Sequence, residues 1–155
     1  MYQAIDKLTG EDVAIKQVVL PSFQSLFAGA TLANTIKNLR LSLAHEFRTL
    51  ASLRHPNIIS VLDYGFDEKR QPYFSMTYLD NAQTILNAGQ GLSVIQKVNF
   101  IQEMLEAIAY LHRRGILHRD LKPENVLVAD GVVRVLDFGL AAAKEEAQES
   151  VGTWQ

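Results

Sequence analysis

The stretch His118-Arg119-Asp120-Leu121-Lys122-Pro123-Glu124-Asn125, followed twelve residues after Asn125 by Asp137-Phe138-Gly139, decides how this chain reads. Between the two lie Val126-Leu127-Val128 and Val132-Val133-Arg134-Val135-Leu136, apolar and β-branched runs that read as a strand pair. An acid, a lysine and an amide therefore sit on one loop, and a second acid follows the strands. A lone aspartate in such a place is ordinarily a cap or turn residue, and an aspartate before a glycine is ordinary turn chemistry. The spacing of Asp120, Lys122 and Asn125 together with Asp137 argues for a shared chemical task instead.

These residues resemble the catalytic loop and the metal-binding Asp-Phe-Gly segment of the eukaryotic-type protein kinases. The resemblance implies phosphoryl transfer from Mg²⁺-ATP. Asp120 would accept the proton of the attacking hydroxyl, Lys122 would reach the transferring phosphate, and Asn125 and Asp137 would hold the metal. Lys122-Pro123-Glu124 is similar to the serine/threonine type. Arg119 corresponds to the residue that in many kinases pairs with a phosphorylated activation loop. Ser150 is the nearest hydroxyl in the acidic stretch 141–150, and Thr153 in Gly152-Thr153 reads as structural.

Working outward towards the N-terminus, residues 1–20 read as two short strands around Thr9-Gly10-Glu11-Asp12. Val13-Ala14-Ile15-Lys16 resembles the kinase strand that carries the nucleotide lysine. Residues from about Leu32 to Leu53 read as one long helix, with Leu39, Leu43, Leu50 and Leu53 as an inward stripe. Glu46 falls in that stripe. A carboxylate placed there needs a cation, because an unpaired buried charge is too costly. Lys16 is the partner named both by this argument and by the resemblance; the alternative is a Glu46 tilted to solvent. The thirty-residue separation of the two is longer than usual for the family, so residues 21–35 are expected to hold an inserted turn or helical segment.

His55-Pro56-Asn57-Ile58 ends the helix and resembles the entry to the next kinase strand. Ile58–Tyr64 and Pro72–Tyr78 read as an antiparallel pair around the charged turn 67–70. By resemblance Met76 walls the adenine pocket and the backbone of Thr77 and Leu79 pairs with the adenine edge. Ala14 and Leu127 sandwich the ring, and Leu50, Val61, His118 and Phe138 stack as core. Plain core packing also accounts for Met76. Residues 81–92 read as a polar linker with a possible helical turn. Ser93 then caps an amphipathic helix whose stripe reads Val94, Val98, Ile101, Leu105, Ile108 and Leu111, with Met104 alongside; Gly115 stops it.

Composition is that of a globular chain: 155 residues, 48% hydrophobic, formal net charge −2 and no cysteine. Near-neutral charge gives no argument for nucleic acid or an anionic membrane. The lack of cysteine excludes a disulfide framework, a thiolate nucleophile and a thiolate zinc site. No apolar run approaches the roughly 18 residues of a membrane span, so the expected setting is cytoplasmic, with no membrane contact.

The expected fold is α+β and protein-kinase-like. Residues 1–79 form the small antiparallel sheet with its helix and the hinge, and 80–155 begin a helical lobe, with ATP in the cleft between. The expected activity is phosphorylation of serine or threonine on protein substrates. No G-x-G-x-x-G occurs in the chain and no Ala-Pro-Glu follows Thr153. The domain is thus expected to be incomplete at both ends, and weakly active or inactive by itself. A non-catalytic kinase-like binding module and a small-molecule phosphotransferase of related fold are the alternatives. Lys16, Glu46, Asp120, Asn125 and Asp137 together argue against the first, and the full 118–125 string with Gly152-Thr153 argues against the second.

Overall fold

The computed structural model describes residues 1–17, 47–68 and 71–137. They divide into two compact units, the first holding residues 1–17, 47–52, 61–68 and 71–78 and the second 53–60 and 79–137. The expected 21–35 insertion, Glu46, the strand residues 18–20, Phe138, Ser150 and Thr153 lie outside the described residues.

In the first unit β1 (Tyr2–Ile5), β2 (Asp12–Gln17), β3 (Val61–Phe66) and β4 (Pro72–Thr77) make an antiparallel sheet in the order β1-β2-β4-β3. The β1–β2 turn closes through Asp6. Its carboxylate accepts the Leu8 amide at 2.8 Å, its carbonyl accepts the Gly10 amide at 2.7 Å, and Gly10 takes φ +77°. That left-handed geometry suits glycine, which lacks a Cβ. Strand β4 is central and buries Pro72, Phe74, Ser75 and Met76. Residues 47–51 are helical. From them Phe47 stacks on Tyr64 and Phe74 at ring-centroid distances of 5.3 and 6.1 Å, and Leu50 is buried.

The sequence assigned Ile58 and Ile59 to the strand that pairs with Pro72–Tyr78. The structure begins β3 at Val61 instead. Ile58 forms a parallel bridge with Val135, and the Ile59 amide donates to the Val135 carbonyl at 3.0 Å. Both isoleucines are buried in the second unit. A continuous apolar run carries no mark of where the chain changes sheets, so periodicity merged two pairings.

The second unit contains β5 (Gln83–Thr84), α1 (Ile85–Ala88), α2 (Val94–His112), a 3-10 turn (Pro123–Asn125), β6 (Val126–Ala129) and β7 (Val132–Val135), with sheet order β5-β6-β7. Asp130 and Gly131 join β6 to β7 with φ of +52° and +74°. Two consecutive positive φ values match the twist of a two-residue hairpin. The expected linker 81–92 thus supplies a short strand and a helical turn. Helix α2 starts at a reciprocal cap: Ser93 Oγ accepts the Gln96 amide at 3.4 Å and the Ser93 amide donates to Gln96 Oε1 at 3.0 Å. Ser93→Ala should lower stability by about 1 kcal/mol in urea unfolding; an unchanged midpoint would mean the cap is replaced by water.

The inward face of α2 is in part a correction. Phe100 and Met104 pack against the core of Val126, Val128 and Val133, and Ala107 and Leu111 are fully buried. Of the stripe read from the sequence, Val94, Val98, Ile101 and Leu105 are 47–75% exposed, Ile108 is half-buried, and Leu111 is buried, as is the core-packed side of Met104 alongside. The spacing therefore joined an exposed N-terminal part to a buried C-terminal end, and missed Phe100 and Ala107. Among the described residues no helix is long and apolar enough to cross a membrane.

Candidate active site

The loop read as the chemical centre is held by hydrogen bonds within itself. The Asp120 amide donates to the His118 carbonyl at 2.8 Å, closing a three-residue turn around Arg119, whose φ is +62°. A turn of that hand is rare and strained for a non-glycine residue. The Asn125 amide donates to the Lys122 carbonyl at 2.9 Å. Asn125 Nδ2 donates to the Asp120 carbonyl at 2.8 Å and to Asp120 Oδ2 at 3.1 Å. Asn125 is buried, so its amide group orients the acid and cannot itself be replaced by water without cost.

Lys122 Nζ lies 2.8 Å from Asp120 Oδ2, and both side chains are half exposed. The hydrogen bond from Lys122, its charge and the bond from Asn125 together hold the Asp120 carboxyl below the ordinary carboxylate range, and desolvation opposes them only partly. Lys122 is raised in turn, mainly by the same hydrogen bond. A depressed carboxyl stays ionised to lower pH, which keeps its acceptor oxygens available. Lys122→Ala should therefore move the Asp120 titration upward, towards the ordinary value, in a carboxyl-resolved NMR titration. A downward or absent shift would show that Lys122 does not control this acid.

Asp137 follows β7 through Leu136, whose two backbone groups are both bound by the loop. The Leu136 amide donates to the Asn125 carbonyl at 2.9 Å, and His118 Nε2–H donates to the Leu136 carbonyl at 2.8 Å. Asp137 itself takes φ +61°. A hard cation such as Mg²⁺ takes oxygen ligands, and commonly only one or two carboxylates beside phosphates. The donor set fits: both donations by Asn125 come from Nδ2, leaving Oδ1 as an acceptor, and Asp137 adds a carboxylate. Among the described residues no cluster of three or more histidines, cysteines or acids exists.

The nucleotide-side residues of the sequence reading fall into two groups. In the first unit β2 and β4 pair with Ala14 opposite Met76, Lys16 opposite Phe74 and Val13 opposite Thr77. Met76 is buried, Ala14 and Lys16 are half-buried, and Thr77 is exposed. In the second unit stand Leu79, Asp120, Lys122, Asn125, Leu127 and Asp137, with Leu127 half-buried on β6 opposite Arg134. Glu46, the expected partner of Lys16, lies outside the described residues.

His118 is where the sequence reading missed a role. The resemblance placed it in an apolar stack; it is buried but acts through the hydrogen bond to Leu136. Its imidazole titrates below the usual histidine range, chiefly because burial disfavours the cation. His55 is lowered for the same first reason, with Arg113 and Arg114 adding to it and Glu106 opposing. Its Nδ1 accepts the Asn57 amide at 3.1 Å, which requires the unprotonated nitrogen. Histidines with depressed folded values bind fewer protons folded than unfolded, so stability is complete above the ordinary value of 6.5 and falls as pH drops through it. The urea midpoint should thus decline between pH 7.5 and 5.5. A flat profile would contradict these assignments.

The chain matches the protein kinase domain family over residues 1–155. A kinase fold with an Asp–Lys–Asn loop and a following aspartate is what that family carries, and this chain belongs to it. It is 37% identical over 149 residues to the probable serine/threonine-protein kinase PknB of Lactococcus lactis, covering 94% of this chain and 22% of the relative. Against a probable serine/threonine-protein kinase of Streptomyces coelicolor it is 34% identical over 154 residues, covering 92% of this chain and 20% of the relative. The chain thus spans about a fifth of the length of these curated relatives. The crystal structure of Rad53 residues 1–466 in complex with AMP-PNP superposes with a TM-score of 0.68 at 27% identity, covering 89% of this chain and 34% of that one.

Proposed function

We propose that this chain carries out ATP-dependent phosphorylation of serine and threonine hydroxyls on proteins. The observation that carries the reading is the Asp120 carboxylate held between Lys122 and Asn125, with Asn125 also binding Leu136 beside Asp137. In this reading Asp120 accepts the proton of the attacking hydroxyl. Lys122 balances charge on the transferring group and keeps Asp120 ionised. Asn125 Oδ1 and the Asp137 carboxylate would hold Mg²⁺, which when bound neutralises phosphate charge. Lys16, paired with Glu46, is assigned the nucleotide phosphates; Ala14, Met76, Leu127 and the backbone of Thr77 and Leu79 are assigned the adenine. The likeness to serine/threonine kinases and to a structure bound to an ATP analogue supports the nucleotide and the acceptor class.

The test, made on the full-length protein, is transfer of labelled terminal phosphate from ATP. A panel of serine- and threonine-containing proteins is compared with small alcohols and aminoglycosides. Label on protein hydroxyls alone is expected. Label on the small molecules would favour a small-molecule phosphotransferase. Nucleotide binding without any transfer would favour a non-catalytic module.

A further inference from the structure

Strand β7 is the outer strand of its sheet, so one edge of its backbone has no neighbouring full strand. Buried backbone groups left without partners are costly, and an open edge must be covered. Here two side chains cover Val133 and two backbone groups cover Val135. The Val133 amide donates to Glu103 Oε2 at 2.8 Å, and Asn57 Nδ2 donates to the Val133 carbonyl at 3.0 Å. Asn57 Nδ2 also donates to Glu103 Oε2 at 3.0 Å. The Val135 amide donates to the Asn57 carbonyl at 2.9 Å, and the Val135 carbonyl accepts the Ile59 amide. All four edge groups of Val133 and Val135 are thereby bound, and Asn57, 5% exposed, engages the strand at both residues.

We propose that Glu103 and Asn57 are positioning residues for Asp137. They form a clamp that fixes the outer edge of β7, while the catalytic loop fixes the next residue, Leu136. Asp137 leaves that doubly held strand in a left-handed backbone conformation, which persists only where its surroundings over-determine it. The clamp sits on α2 and on the 53–60 turn, away from the reacting groups, and acts only through the strand. Its effect on metal and nucleotide rests on the reading of Asp137 as a metal ligand; its effect on the backbone does not.

The signal was present in the sequence. Glu103 interrupts the apolar Phe100–Met104–Ala107–Leu111 face just as Glu46 interrupts its stripe, but its partners are a backbone amide and an asparagine, which no charge pattern announces.

One glutamate oxygen accepts both donors, so a glutamine can replace it through its amide oxygen. An apolar Met removes the acceptor of the Val133 N–H and of one of the two Asn57 Nδ2 hydrogens, the other still reaching the Val133 carbonyl, and Asp is one methylene too short. The experiment measures amide exchange by NMR, together with nucleotide affinity in Mg²⁺ and in EDTA, on the protein and on Glu103→Gln, Glu103→Met and Glu103→Asp. Glu103→Met is expected to speed exchange of the Val135 and Leu136 amides about tenfold relative to those of β2. It should also weaken Mg²⁺-dependent affinity several-fold while leaving the EDTA value unchanged. Glu103→Gln should restore both. If Glu103→Met does not fold, Glu103→Asp carries the same comparison. Faster exchange confined to Val133, or a uniform rise at all amides with the Mg²⁺ dependence intact, would overturn the clamp. Asp137→Asn is measured in parallel: if it leaves the Mg²⁺ dependence intact, the metal assignment fails, and the Leu136 exchange rate still decides the clamp.

Discussion

In the full-length protein Asp120→Asn should lower phosphoryl transfer by about 10²–10⁴-fold, the range of a positioned general base, with nucleotide affinity nearly unchanged. The substitution is close to isosteric. Its amide oxygen can still accept from Asn125 Nδ2, as Asp120 Oδ2 does at 3.1 Å, so the loop should keep its shape. What disappears is the proton acceptor and the charge opposite Lys122. Asp137→Asn should behave differently. An amide oxygen is a poorer ligand for a hard cation than a carboxylate, so Mg²⁺-dependent nucleotide affinity should fall as well, by tenfold or more, about 1.4 kcal/mol. Calorimetric titration with ATP in Mg²⁺ and in EDTA, alongside turnover, separates the two. Equal losses of affinity in both variants would contradict the division of roles, because a residue that faces only the acceptor should not report on bound nucleotide.

Leu111→Ala should cost about 2–5 kcal/mol, the range for deleting a fully buried leucine when the cavity cannot collapse. Leu111 has no exposed surface and lies near the C-terminal end of α2. Against a domain margin of about 5–15 kcal/mol, that is enough to leave a sizeable unfolded population. Leu105→Ala, at a position 55% exposed, should change stability by less than about 0.5 kcal/mol. The pair tests the exposed part of the expected stripe against its buried end. If urea unfolding gave equal costs at the two positions, Leu105 would be packed too.

The sequence by itself determined the local features. Ser93 marked the start of α2, because an N-cap is closed by a hydrogen bond within four residues. Thr9-Gly10 marked the first turn, because φ > 0 selects glycine. The spacing of Asp120, Lys122 and Asn125 put an acid, a cation and an amide on one short loop, and the structure brings the three into direct hydrogen-bond contact. Each of these depends on residues a few positions apart, where chain geometry leaves few choices.

Tertiary structure alone decided the rest. Periodicity gives the spacing of apolar residues but not which of them are covered: Phe100 and Met104 meet the sheet, while Leu105 is 55% exposed. Ile58 and Ile59 left the strand the sequence gave them because Val135, more than seventy residues on, offers the backbone groups they bind. His118 became a hydrogen-bond donor to Leu136, and Glu103 the acceptor for Val133, because a folded chain must satisfy buried backbone groups with whatever is near. Nearness across the chain is not written in any local pattern; it exists only once the sheet and helix have packed.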